Sequence, residues 1–141
     1  MISALPTVLF LCVANSARSQ MAEGLARAMA PPGYSFLSAG SQAGVLHPLA
    51  VAALAEVGID ISGHRAKSLT EIALAGVDTI VTLCAEEVCP VVPATVRRLH
   101  WPLPDPARVE GPADQRRDAF RAVRDRLRGL LPELWRGTVA P

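Results

Sequence analysis

Cys12 ends the apolar run Val8-Leu9-Phe10-Leu11, and Arg18 follows it in a Cys-x5-Arg spacing. The stretch Val13-Ala14-Asn15-Ser16-Ala17-Arg18-Ser19 leads from a buried strand into a helix that begins near Ser16 and runs through Met21, Leu25 and Met29. A loop in that position can turn successive backbone N–H groups inward, and the helix N-terminus adds its positive end. With the planar guanidinium of Arg18, those donors form a cradle for a tetrahedral oxyanion. The same field favours the thiolate form of a cysteine, the form that acts as a nucleophile. In a chain with this many arginines the spacing alone arises by chance. Its place between strand and helix separates it from a plain buried thiol and a solvated arginine. Asn15 tolerates a left-handed backbone, and the hydroxyl of Ser19 can hydrogen-bond near the sulfur.

Two further groups could do chemistry. Cys84 and Cys89 stand five positions apart, with Cys84 at the end of a second apolar run. Three readings suit them: a redox relay that carries a disulfide outward from Cys12, a pair of reduced core thiols, or a zinc site completed by His47, His64 or His100. Zinc sites favour tighter cysteine spacing, and no metal is expected. Asp105, between Pro104 and Pro106, is either a general acid held over the oxyanion or an ordinary Asp-Pro turn.

These residues need a scaffold, and short apolar runs alternating with helical patterns specify a parallel sheet covered by helices on both faces. The expected strands are 7–12, 34–38, 77–84 and 96–101. The expected helices cover about 16–29, 48–57 and 69–74, with a last one from Gly111 to about Trp135. Right-handed crossovers put the first and third strands side by side at a switch point, with Cys12 and Cys84 ending them, and the expected order of the four strands is 2-1-3-4. At 141 residues, half of them hydrophobic, the chain is expected to form one domain over 1–141 without disulfide or metal support. A net charge of +1 speaks against nucleic-acid or membrane surfaces as partners. Arg116 to Arg128, interleaved with Asp114, Asp118 and Asp125, reads as a solvated helix face, with an acidic docking partner as the alternative. The N-terminal apolar stretch is too short to span a membrane and has no basic flank. A cytoplasmic monomer is expected.

The run from Cys12 to Gly24, Cys-Val-Ala-Asn-Ser-Ala-Arg-Ser-Gln-Met-Ala-Glu-Gly, resembles the phosphate-binding loop of the low-molecular-weight protein tyrosine phosphatase superfamily, in its arsenate reductase branch. The likeness continues through Ser38-Ala39-Gly40, His47-Pro48, Glu56 to Ser62, Val81 to Cys84, Cys89-Pro90, His100-Trp101 and Asp105-Pro106. It implies arsenate reduction serving arsenic detoxification. Cys12 acts as nucleophile, Asp105 as general acid, Cys84 and Cys89 as the relay, and thioredoxin as the external reductant; no cofactor is bound. Phosphate and sulfate would compete for the pocket, and a weak phosphatase side activity would remain. Glu23 and Ser38 match residues that support the loop. Where some relatives have an acidic potassium ligand this chain has Lys67, which opposes a cation. Many relatives have glycine at Ala14 and a further cysteine at Ala17. The alternatives are a phosphotyrosine phosphatase, against which Ala107 and Arg108 stand in place of aromatic residues, and a non-enzymatic thiol redox sensor or oxyanion-binding regulator.

Overall fold

The computed structural model describes residues 6–85 and 96–136. Four parallel strands, β1 (Thr7–Cys12), β2 (Ser35–Gly40), β3 (Thr79–Thr82) and β4 (Arg97–His100), form one sheet in the order β2-β1-β3-β4. Three α-helices accompany them: α1 (Arg18–Met29), α2 (Pro48–Ala55) and α3 (Ala113–Leu130). The 2-1-3-4 order is the expected one.

β1 is apolar on both faces because both are covered. Val8 and Phe10 point into a large core with Met21, Leu25, Leu54, Phe120 and Leu127 from the three α-helices. Leu9 and Leu11 point the other way, against Val77, Ile80 and the flanking Leu69, Ile72 and Leu74. Helices therefore cover the faces unequally. The second face has two 3-10 helices, Leu69–Glu71 and Leu74–Gly76, where a single helix over 69–74 was expected. Ser68 and Glu71 close a capping box around the first of these turns, and Ile72 leaves it in an extended conformation.

Element ends differ from expectation where tertiary contacts override local preference. β2 runs on through Ala39 and Gly40 because Cys12 pairs with Gly40 in the ladder. α1 starts at Arg18 and not Ser16, since Asn15 has φ 54° and Ala17 has φ −131°, ψ −79°. β3 is shorter than 77–84: Val77 closes a 3-10 turn onto Leu74, and Leu83 and Cys84 leave the ladder after one bond from the Leu83 amide to the Leu11 carbonyl. α2 ends at Ala55 ahead of the positive-φ Gly58. At the other end of the helical layer α3 stops at Leu130, where a 3-10 turn, Leu131–Leu134, begins around Pro132.

Most of the arginine-rich run lies on a solvated or partly solvated face, with one exception. Arg124 is 8% exposed, and its Nη1 donates to the Ala53 carbonyl at 2.9 Å and to Glu56 Oε1 at 2.8 Å. Glu56 also receives three bonds from Arg121. These contacts join the end of α2 to α3. Amphipathic spacing could not single out Arg124, because charge pattern does not report which arginine finds a buried carbonyl.

Arg124→Ala should destabilise the chain by about 1–3 kcal/mol, the cost of stranding buried acceptors, as measured by urea unfolding. The bonds from Arg121 and Arg124 depress the Glu56 carboxyl from 4.5 to about 2. A depressed acid adds stability above its unfolded pKa and loses it as pH falls through the folded value. Glu56→Gln should therefore flatten the wild-type decline in Tm between about pH 4.5 and pH 2, and an unchanged slope would remove this ion pair from the acid response.

Candidate active site

Between Cys12 and Arg18 the chain is held from outside by the segment 40–47. Val13 O accepts from the Gln42 amide at 3.1 Å, Ala14 O from the Gly44 amide at 2.8 Å and Ser16 O from the His47 amide at 2.9 Å. The Ser41 hydroxyl also donates to Val13 O. In a planar trans peptide the N–H points opposite its carbonyl. Pulling those three carbonyls outward turns the N–H groups of Ala14, Asn15 and Ala17 inward. Asn15 N accordingly donates to Cys12 Sγ at 3.2 Å. Gly40 makes the close approach feasible, since a Cβ there would stand 2.4 Å from Val13 O and 2.8 Å from Asn15 N. Ala14, where many relatives have glycine, does not need glycine's freedom: among the described residues Asn15 is the only non-glycine with positive φ.

Beneath the loop, a directed set of hydrogen bonds reaches the sulfur. Asn15 Oδ1 accepts from the Lys67 amide at 2.8 Å and from Gln20 Nε2 at 2.9 Å. A backbone amide can only donate, so Oδ1 is fixed on that side and Nδ2 is left to donate to Ser19 Oγ at 2.7 Å. Ser19 Oγ lies 2.8 Å from Cys12 Sγ, and its own hydrogen is available to the sulfur. Gln20 in turn donates to Asn15 O and Arg65 O, leaving its Oε1 to face His64 Nδ1 at 3.1 Å. Asn15, Ser19 and Gln20 are all fully buried. Asn15 and Ser19 have the bracing positions the sequence indicated. Gln20 was missed, and its one signal was a polar residue beside Ser19 in the first turn of α1.

Arg18, 3% exposed, donates through Nη1 to Leu103 O at 3.0 Å and to Leu83 O at 3.4 Å. Its Nη2 stands 3.9 Å from Asp105 Oδ2. One guanidinium thus ties α1 to the segment after β3 and to the loop after β4. Asp105 N-caps the short 3-10 helix Pro106–Arg108, with Oδ1 accepting from the Ala107 amide at 3.0 Å. That leaves Oδ2 directed at the site. A cavity of about 200 Å³ is lined by Cys12, Val13, Ala14, Ser16, Ala17 and Arg18, with Asp105 and Arg108 at its rim. Backbone donors, a guanidinium, a thiol and a carboxyl around so small a space suit nucleophilic attack on a tetrahedral oxyanion with proton delivery to the leaving oxygen.

Cys84 is buried at 2% exposure, two residues beyond β3. It is disulfide-bonded, whereas Cys12 is a free thiol. Cys89 lies outside the described residues. Glu23 is buried under the loop, hydrogen-bonded by Ser38 and paired with Arg27, and Lys67 Nζ stands 3.9 Å from its Oε1. His47 caps α2, its Nδ1 accepting from the Leu49 amide at 3.1 Å. Burial, and then Arg116, hold its pKa below the usual histidine value against the opposing charge of Asp105, which preserves the neutral acceptor. Among the described residues no cluster of three or more His, Cys, Asp or Glu is placed to hold a metal ion.

The fold and this thiol-guanidinium cradle define a class. The family model for low molecular weight phosphotyrosine protein phosphatase matches residues 7–139, and the chain belongs to that family. Within it, the arsenate reductase of Bacillus subtilis (strain 168) is 42% identical over 128 residues, which is 89% of this chain and 92% of that protein. A solved structure described as an arsenate reductase in the phosphate binding state superposes with a TM-score of 0.77 at 32% identity, covering 92% of this chain and 96% of that one. A thioredoxin-dependent arsenate reductase from Corynebacterium glutamicum superposes with a TM-score of 0.71 at 31% identity, covering 97% of this chain and 65% of that one.

If Gly40 is what lets segment 40–47 grip the loop, Gly40→Ala should displace the inward amides without unfolding the chain. Turnover of an oxyanion substrate should fall by about 100-fold, as expected for a misplacement near 1 Å, with the far-UV circular dichroism unchanged. Wild-type turnover in this variant would remove the close approach from the account.

Proposed function

We propose that this chain reduces arsenate to arsenite through Cys12, Cys84 and Cys89, with thioredoxin as the external dithiol. The observation that carries the reading is the cavity of about 200 Å³ in which Cys12, the inward amides, Arg18 and Asp105 converge, in a chain similar to arsenate reductases over most of its length. Arsenate has the tetrahedral shape and charge of phosphate, so one cradle holds either.

Cys12 attacks arsenic, and an arsenate oxygen leaves as water with a proton from Asp105, giving a thiol ester of As(V). The Cys84 thiolate then attacks Cys12 Sγ. A Cys12–Cys84 disulfide forms, and the electron pair of the S–As bond passes to arsenic, which departs as As(III) arsenite. Cys89 attacks Cys84 next, freeing the Cys12 thiolate and leaving a Cys84–Cys89 disulfide. Thioredoxin reduces that bond and becomes oxidised. Two features support this sequence. The β1–β3 ladder ends at the pair Leu11–Thr82, and the Leu83 amide still donates to Leu11 O, so Cys12 and Cys84 both lie at the same end of adjacent strands. Arg18 binds the Leu83 carbonyl, which couples oxyanion binding to the segment carrying Cys84.

Asp105→Asn should lower the chemical rate by about 10²–10⁴-fold while oxyanion binding changes less, because the amide keeps the shape and cannot supply the proton. An unchanged rate would exclude the acid role. Cys84→Ser should abolish arsenite release yet leave hydrolysis of a small phosphate ester, a reaction that uses only Cys12, Arg18 and Asp105. Cys89→Ser should release one arsenite per chain and accumulate a Cys12–Cys84 disulfide detectable by peptide mapping. Multiple thioredoxin-supported turnovers in Cys89→Ser would overturn the order of attack.

A further inference from the structure

We propose that Arg108 is a second oxyanion-recognition residue, which makes the site selective for a free tetrahedral dianion over an aryl phosphate ester. The inference rests on the oxyanion-pocket reading above and adds its specificity. Arg18 is heavily committed: Nη1 is bound to two backbone carbonyls and Nη2 faces Asp105. The Cys12 sulfur and the Asp105 carboxyl line the same small space as that one guanidinium. A dianion entering that space needs a further cation. Apart from Arg18 and Asp105, Arg108 is the charged side chain lining the cavity.

Its placement is set by the fold. Arg108 is the last residue of the 3-10 helix Pro106–Arg108, whose first turn is closed by the Asp105 carboxylate on the Ala107 amide and by Asp105 O on the Arg108 amide at 3.2 Å. The turn that aims Asp105 Oδ2 at the site therefore also anchors Arg108 at its rim. Among the described residues the Arg108 side chain has no hydrogen bond or ion pair, and the residue is exposed. A free oxyanion seated on the inward amides presents one oxygen toward the rim, within the province of the guanidinium. An aryl ester puts its ring there instead, so the same arginine contributes less. Ala107 beside it offers no aromatic surface for such a ring.

The test reads binding without turnover. Fully reduced protein is treated with iodoacetamide, and the alkylation rate of the Cys12 peptide is followed by mass spectrometry at increasing arsenate, phosphate or phenyl phosphate. Arg108→Ala should raise the half-protecting arsenate and phosphate concentrations about tenfold, the worth of one charge-assisted contact, with a smaller rise for phenyl phosphate. Arg108→Lys should recover part of the loss, since it keeps the charge and lacks the planar fork. Added salt should weaken oxyanion protection more in the wild type than in Arg108→Ala. Equal half-protecting concentrations in wild type and Arg108→Ala, or equal losses for phosphate and phenyl phosphate, would overturn the inference. Absence of protection in the wild type by any oxyanion would overturn the pocket reading and this inference together. A wild type that is protected but forms no arsenite would sink the reductase reading alone, and the Arg108 comparison would still decide this one.

Discussion

The outward pull on three carbonyls between Cys12 and Arg18 is the constraint on which the site depends. A chain segment turning from strand to helix has no intrinsic reason to aim successive N–H groups at one point, and their mutual repulsion opposes it. Here the amides of Gln42, Gly44 and His47 take the carbonyls of Val13, Ala14 and Ser16, and peptide planarity does the rest. The inward direction of these donors is thus fixed by the fold itself. Gly40 permits the approach, and the Cys12–Gly40 ladder pair locates it. The placement of Cys12, the loop of inward amides and the segment that shapes that loop are thus consequences of one parallel pairing between β1 and β2.

A second level of order comes from donors that cannot be reversed. The Lys67 amide fixes the orientation of Asn15, Asn15 fixes Ser19, and Ser19 faces the sulfur. Each member is buried, so a misplaced polar group would be costly, and the network is satisfied throughout: no buried side-chain nitrogen or oxygen among the described residues lacks a partner. Arg18 supplies the corresponding link across the sheet. By binding Leu83 O and Leu103 O it joins the anion site to the two strand-end segments that carry Cys84 and Asp105.

Much of this was legible in the chain itself. The continuous apolar run of β1 announces a strand buried on both faces, and that strand followed by small residues and Arg18 announces a loop able to hold an anion. The adjacency of the first and third strands followed from crossover rules, and the left-handed backbone of Asn15 and the hydroxyl of Ser19 beside the sulfur from the chemistry of those residues. These features are local: each depends on residues within one or two elements, so spacing and residue type carry them. The tertiary structure decided the rest. Segment 40–47 contributes mainly backbone amides, which every residue but proline possesses, so beyond Gly40 and Ser41 its sequence holds little trace of its role in shaping the loop. Gln20 and Arg124 became buried because particular carbonyls lay within reach, not because of their place in a pattern. Arg108 lines the cavity because Asp105 caps the turn that ends on it. Backbone donors, buried acceptors and the facing of an arginine are properties of distances between segments far apart in the chain, and only packing sets those distances.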